Sequence, residues 1–341
     1  MNPQPRPKVL MALYHLGERV NPYIARLERE GFEVVRNLVG RCLTEDELVG
    51  ILPGVFATVA GIEPYTERVF QAGRELRIVA RYGVGYDKVD VAAATRHGVA
   101  VAMAFGTNHE AVADSTLTLM AAVVGNVVRH HLLVSRGGWG MDLRPGLWRA
   151  TVGIVGLGRI GKAVARRCRG FEMRILAYDV APDVAFAQEN GIQLVPLDAL
   201  LREADIVTLH APHTSETENL INRDRLALMK PGAYLVNTAR GGLVDEGALC
   251  EALASRRLAG AGLDVFKSEP PVGSPLLGLD TVVLSPHCAG SNTTSESAVA
   301  NRCIDSIVEC ARGVGPGPEY LLNPEVLDRS AAASRRRKSD R

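Results

Sequence analysis

The run Gly156-Leu157-Gly158-Arg159-Ile160-Gly161 constrains the fold of this 341-residue chain more than any other feature. Glycine-rich turns are common, so the spacing alone decides little. Here the run directly follows an apolar stretch, TVGIV, and opens a helix-compatible one, KAVARRCRG. The next apolar run, ILAY, ends in Asp179, eighteen residues after Gly161. Strand, glycine turn, helix, strand and terminal acid are the ordered parts of a dinucleotide-binding βαβ unit. Gly156 permits the tight turn, Gly158 lets the backbone approach a pyrophosphate, and Gly161 lets the helix pack closely on the strand. Asp179 is placed to accept hydrogen bonds from ribose hydroxyls and would repel a 2′-phosphate, so NAD is expected over NADP.

The chain around this unit reads as two series of alternating strands and helices. The first series runs KVLMALY, EVVRNL, VFATVAG, LRIVARYG and VAVAMA. Its second helix opens on Thr44-Glu45-Asp46-Glu47, a capping-box pattern. The strand runs are rich in Val, Ile and Ala with little alternation, as in parallel sheets covered on both faces. A long apolar segment, about Glu110 to Val134, reads as one helix and leads into a Gly/Arg/Pro-rich break, RGGWGMDLRPG. The second series starts at Thr151 and ends at TVVLSPH, and a last amphipathic helix spans about Thr293–Ala311. Two such series imply an α/β protein with two doubly wound parallel-sheet domains and a cleft between them.

Charge and composition narrow the partners. Thirty-nine basic and 38 acidic side chains leave a net charge of +1, which gives no electrostatic reason for a nucleic-acid or membrane partner. No stretch approaches the ~20 apolar residues of a membrane span, and MNPQPRPKVLMALYH lacks a secretory apolar run. Six cysteines without CxxC spacing suggest reduced thiols, and a cytoplasmic location is expected. His130-His131 lacks a ligand pattern, so no metal site is expected. The tail Arg335-Arg336-Arg337-Lys338 with Arg341 reads as solvated and disordered.

Further polar residues stand at strand ends, where doubly wound sheets bind ligands. They are His210-Ala211-Pro212, Thr238-Ala239-Arg240 and Asp264. Arg240 lies in NTARGGLVDE, Glu269 in LDVFKSEPP and His287 in LSPHCAGSN. With GLGRIG, these runs closely resemble the D-isomer-specific 2-hydroxyacid dehydrogenase family, within it the 3-phosphoglycerate dehydrogenase-like branch. The likeness extends from about Lys8 to Leu327.

The resemblance implies a Rossmann NAD-binding domain, residues 106–291, inserted into a flavodoxin-like substrate domain made of 1–105 and 292–341. It implies that Arg240 holds the substrate carboxylate, that His287 is the acid/base, and that Glu269 orients His287. These residue types suit the work. A guanidinium matches a carboxylate bidentately, and an imidazole exchanges protons near neutral pH. The resemblance further implies cofactor contacts at Gly156, Gly158, Arg159, Ile160, Gly161, Asp179, His210, Ala211, Pro212, Thr217, Thr238, Ala239, Asp264 and Gly290. Asp264 would anchor the nicotinamide carboxamide. In Arg81-Tyr82-Gly83-Val84-Gly85, the substrate would meet Arg81 and the backbone of Val84 and Gly85. The helix after residue 108 resembles the family's dimer-forming region, so a homodimer is expected, with a hinge where the chain crosses domains.

The expected reaction interconverts a D-2-hydroxy acid and its 2-oxo acid. 3-Phosphoglycerate is one candidate, although Ala60 and Gly125 or Asn126 stand where phosphate-binding relatives carry arginines. Two alternatives stay open. One is an NAD-sensing, corepressor-like binding protein, and the other is a phosphite- or phosphonate-type dehydrogenase. A formate-oxidising version is disfavoured, since such relatives carry glutamine where Glu269 stands.

Overall fold

The computed structural model describes residues 5–14 and 16–327. The basic tail at 335–341 lies outside the described residues. The chain divides into two compact units. One takes the chain up to Asn108 and resumes at Asn292, and the other runs His109–Ser291.

The first unit holds a parallel sheet of β1 (Lys8–Met11), β2 (Glu33–Arg36), β3 (Val55–Ala60), β4 (Ile78–Arg81) and β5 (Ala100–Met103), in the order β2-β1-β3-β4-β5. Alternation along the strands feeds two apolar layers. Val9, Met11, Ala57, Ile78 and Ala80 face one core, which the helix Thr293–Ala311 closes with Val299, Cys303, Ile304 and Ile307. Leu10, Val55, Val79 and Val101 face the other, with Leu48, Phe70 and Ala94. Both faces are apolar because both are covered, which is why the strands read as continuous apolar runs. The capping box forms: Thr44 accepts from the Glu47 amide, and Glu47 accepts from Thr44.

The second unit holds a seven-stranded parallel sheet. Its strands are β6 (Thr151–Val155), β7 (Arg174–Tyr178), β8 (Gln193–Leu194), β9 (Ile206–Leu209), β10 (Ala233–Asn237), β11 (Leu258–Leu263) and β12 (Val282–Leu284). The order is β12-β11-β10-β9-β6-β7-β8. The chain winds outward from β6 in one direction and from β9 in the other. Ligands bind at such a reversal, outside the carboxyl ends of the two strands.

The apolar segment read as one helix is two, His109–Val124 and Val127–Ser135, bent by 58°. The break falls at Gly125-Asn126, where Asn126 takes a left-handed φ of 50°. Asparagine adopts that conformation more readily than most residues, and the next helix starts with His130 N–H donating to Asn126 O. Among the described residues, no single helix is long and apolar enough to cross a membrane. The bent pair passes on length and composition, but its first helix lies largely in the core.

Candidate active site

The glycine run forms the turn from β6 into the helix Arg159–Arg169. Gly156 has φ 96°, and a Cβ there would come within 2.7 Å of both Ala211 N and His210 C. The turn after β6 therefore lies directly against the turn after β9, at the reversal point. A Cβ on Gly161 would run into the carbonyl of Gly156, so helix and turn touch backbone to backbone. A Cβ on Gly158 would meet nothing within 4 Å. Gly158 is the N-cap and supplies no side-chain acceptor, so the first-turn N–H groups keep the orientation that suits an anion. Arg159 beside it is exposed and Ile160 packs partly into the core.

Asp179, at the end of β7, ties this turn down. Its Oδ2 accepts from Leu157 N at 2.6 Å and its Oδ1 from Ala181 N at 2.9 Å. Each oxygen keeps a further lone pair for a ribose hydroxyl. Beside it is an open hollow of about 300 Å³, lined by Tyr178, Asp179, Pro182, Leu194 and Pro196 among others. Apolar walls around one carboxylate fit the adenosine end of a dinucleotide, with the glycine turn beside it for the pyrophosphate. The residues present thus fit NAD.

Four of the polar residues expected to meet the cofactor spend side-chain atoms on the protein itself. His210 Nε2 pairs with Thr208 Oγ1 at 3.0 Å, and burial pushes the imidazole down to about 3, so it stays neutral. Thr217 Oγ1 donates to Pro212 O and accepts from Thr214 N, both at 2.7 Å, which closes that loop on itself. Thr238 Oγ1 pairs with Thr116 Oγ1 at 2.8 Å, inside the unit. Asp264 is 1% exposed and accepts from Ser285 Oγ (2.6 Å), Cys288 N (3.0 Å) and Ala289 N (2.9 Å). The sequence placed His210, Thr238 and Asp264 at strand ends, and the resemblance added Thr217, but neither gave the direction of their side chains. Ala211, Pro212 and Ala239 have only backbone polar groups to offer, and Gly290 lies in the turn that Ser291 N–H closes onto Cys288 O.

Asp264 thereby builds the loop that presents His287. His287 N donates to Asp264 O at 2.8 Å, and the residue sits at a left-handed φ of 53°. Its Nδ1 lies 2.7 Å from Glu269 Oε2. Glu269 Oε1 accepts from Phe266 N at 3.0 Å, so both carboxylate oxygens are held. Burial pushes the Glu269 carboxyl up. The His287 hydrogen bond and charge, the Phe266 amide and the Arg240 guanidinium outweigh this and hold it below the usual carboxylate range. Arg240 therefore belongs to the same cluster. With Nδ1 committed to Glu269, Nε2 is the His287 atom left to exchange a proton.

Arg240 ends the β10 turn with its Nη1 on Ala239 O at 2.6 Å. Two residues that the motif reading passed over shape this turn. Asn237, 1% exposed, donates from Nδ2 to Arg240 O at 2.9 Å and accepts from Ala239 N at 3.0 Å. Gly241 abuts the loop that carries Glu269, and a Cβ there would run into the Phe266 carbonyl. The Gly-Gly after Arg240 was the visible signal for that close approach.

In the other unit, Val84 and Gly85 are half-buried in the turn after β4. Arg81 is turned inward. It is 8% exposed, and its Nη1 donates to Ala60 O and Tyr82 O, both at 3.1 Å. Among the described residues, no group of three or more His, Cys, Asp or Glu is placed to hold a metal ion.

Residues 117–289 match the family model described as D-isomer specific 2-hydroxyacid dehydrogenase, NAD binding domain. The chain belongs to this family. A protein named glyoxylate reductase from Korarchaeum cryptofilum is 43% identical over 78% of this chain and 81% of its own length. One named D-3-phosphoglycerate dehydrogenase from Archaeoglobus fulgidus is 38% identical over 84% of this chain, but this chain spans only 55% of it. The structure also superposes on D-lactate dehydrogenase from Aquifex aeolicus, solved with NAD and lactic acid. The TM-score is 0.80 at 27% identity, covering 91% of this chain and all of that one. Like its family, this chain is an NAD-dependent oxidoreductase that acts on 2-hydroxy acids.

Proposed function

We propose that the chain interconverts a small, unphosphorylated 2-oxo acid and its D-2-hydroxy acid, with Arg240 and His287 acting on the substrate. The observation that carries this reading is the 2.7 Å contact of His287 Nδ1 with a Glu269 carboxylate held ionised beside Arg240. NAD, when bound, supplies the hydride donor or acceptor. Arg240 binds the substrate carboxylate with its planar fork. His287 holds a proton on Nε2 for the carbonyl oxygen and takes it back from the hydroxyl in the reverse direction. Glu269 fixes the imidazole's orientation through Nδ1 and so aims Nε2.

Glyoxylate is the first substrate to test. The chain covers most of the length of a relative named for it, and Ala60 and Gly125 or Asn126 leave Arg81 as one cation where phosphate-binding relatives carry several arginines. A panel of 2-oxo acids with NADH and NADPH, followed at the nicotinamide absorbance, is expected to show turnover of glyoxylate with NADH. A 3-phosphorylated 2-oxo acid is expected to give kcat/KM at least about tenfold lower, a loss of ~1.4 kcal/mol in transition-state binding. Turnover of the phosphorylated acid alone would overturn the reading.

The working form is a homodimer. Val127, Val128, Leu132, Leu133 and Val134 are exposed on one short helix. The following segment exposes Trp139 (92%), Met141 (96%), Leu143 and Trp148. So many large apolar groups in one stretch exceed what a monomer's surface usually carries in one patch. Equilibrium sedimentation at micromolar concentration should return twice the 36.6 kDa chain mass; the single mass would refute the dimer.

A further inference from the structure

Two glycines follow Arg240. Gly241 answers to the Phe266 carbonyl, but Gly242 has other neighbours. A Cβ there would lie 2.4 Å from His213 Nε2 and 3.0 Å from Glu218 Oε2. Those two atoms pair with each other, so a histidine and a glutamate from the loop after β9 meet directly over the glycine. Glu218 Oε1 lies 3.8 Å from Lys267 Nζ, on the segment that leads to Glu269. The His213 hydrogen bond, helped by the charges of His213 and Lys267, outweighs burial and holds the Glu218 carboxyl below its usual range.

Backbone bonds draw the same three segments together. Asn219, at a left-handed φ of 50°, donates its N–H to Gly242 O at 2.8 Å, and Ile221 N donates to Leu243 O at 2.9 Å. Lys267 N donates to Glu246 Oε1, so residue 267 is held by its amide as well as by its ammonium. A Cβ on Gly241 would come within 2.4 Å of Lys267 N. The segments 213–221, 240–246 and 266–269 therefore converge on Gly241-Gly242. The side chains of His213, Glu218 and Lys267 are all partly exposed, and ion pairs in such places add little to stability. Their place between Arg240 and Glu269 gives them another use.

We propose that His213, Glu218 and Lys267 form a clasp over Gly242 that positions the Arg240 turn against the Glu269 segment. His213 and Glu218 bear on the residue two after Arg240, and Lys267 stands two before Glu269. One cluster thus sets the spacing between the guanidinium and the carboxylate that aims His287. All three are positioning residues. This rests on the reading of Arg240 and His287 as the groups that act on a 2-oxo acid. Partly exposed contacts bias a geometry weakly, so the effect is severalfold.

The test uses the full chain with Gly242→Ala, Glu218→Ala and the double variant. Gly242→Ala leaves every charge in place. Gly242 has no left-handed φ, and the atoms a methyl would meet are the far ends of two side chains, so the pair is forced aside while the backbone stays. Each single variant is expected to lower kcat/KM for glyoxylate about fivefold, with Kd for NADH within about twofold of wild type. The melting temperature should stay within about 3 °C. The double variant should lose no more than the worse single variant, because both break one clasp. Amide hydrogen exchange at Asn219 and Lys267 should quicken about fivefold in each. Wild-type kcat/KM in either single variant, or losses that multiply in the double, overturns the proposal. If Gly242→Ala does not fold, Lys267→Ala takes its place in the cycle under the same criteria. A wild type that reduces no 2-oxo acid defeats the functional reading, while amide exchange still decides whether the clasp exists.

Discussion

Replacing His287 with alanine is expected to lower kcat for 2-oxo acid reduction about 10²–10⁴-fold and to leave KM for NADH unchanged. The variant tests chemistry rather than folding. The loop from Ser285 to Ala289 is held by three hydrogen bonds to Asp264, none of which uses the imidazole. The backbone N–H of residue 287 keeps its bond to Asp264 O whatever the side chain. Glu269→Gln supplies the companion measurement. The Glu269 carboxyl lies below its usual range in the folded chain. The stability it contributes is therefore fully present above its unfolded value, ~4.3, and is lost only as pH falls through the lowered folded value. It is ionised throughout the neutral range and accepts from His287 Nδ1, which leaves Nε2 free to face the substrate. Glu269→Gln should therefore lower kcat for reduction about tenfold or more by loosening the ring's orientation, with KM for NADH unchanged. A His287→Ala enzyme that turns over within threefold of wild type would remove this residue from the mechanism.

Most strands were legible because they are short apolar runs whose two faces are both buried, as Val9 and Leu10 show by facing different cores. β8 was not, since two residues, Gln193 and Leu194, carry no periodicity. The bend at Asn126 was hidden because apolar composition continues on both sides of it, and a single left-handed residue leaves no pattern. The glycine turn was readable in detail, because Gly156 and Gly161 do their work through the absence of a Cβ. Direction was what the sequence withheld. Thr238 and Asp264 stand at strand ends as expected, yet one hydroxyl points into a helix and the other side chain caps a loop. Arg81 read as an anion-binding cation, and Glu63, before a proline, read as nothing at all. Their burial depends on how two distant turns meet, and no local pattern records that.

Arg240→Lys is the second large effect, expected to lower kcat/KM for glyoxylate about 10²–10³-fold, through both a higher KM and a lower kcat. The charge is conserved in this variant, so the loss isolates geometry. Two parallel N–H groups hold a carboxylate in one plane, whereas an ammonium offers a point charge on a flexible stem. The surroundings of Arg240 argue that this plane is set by the fold. Asn237 fixes the Arg240 carbonyl, Nη1 rests on Ala239 O, and Gly241 lets the turn press against the Phe266 carbonyl. A lysine inherits the backbone placement but cannot reproduce the fork. Two readouts separate substrate binding from a merely structural role. Added guanidinium should partly restore an Arg240→Ala variant, and a 2-oxo amide, which has no carboxylate to hold, should lose much less than glyoxylate on going from arginine to lysine. If the amide and the acid fall by the same factor and guanidinium restores nothing, then Arg240 shapes the β10 turn without touching the substrate, and the carboxylate must be held elsewhere.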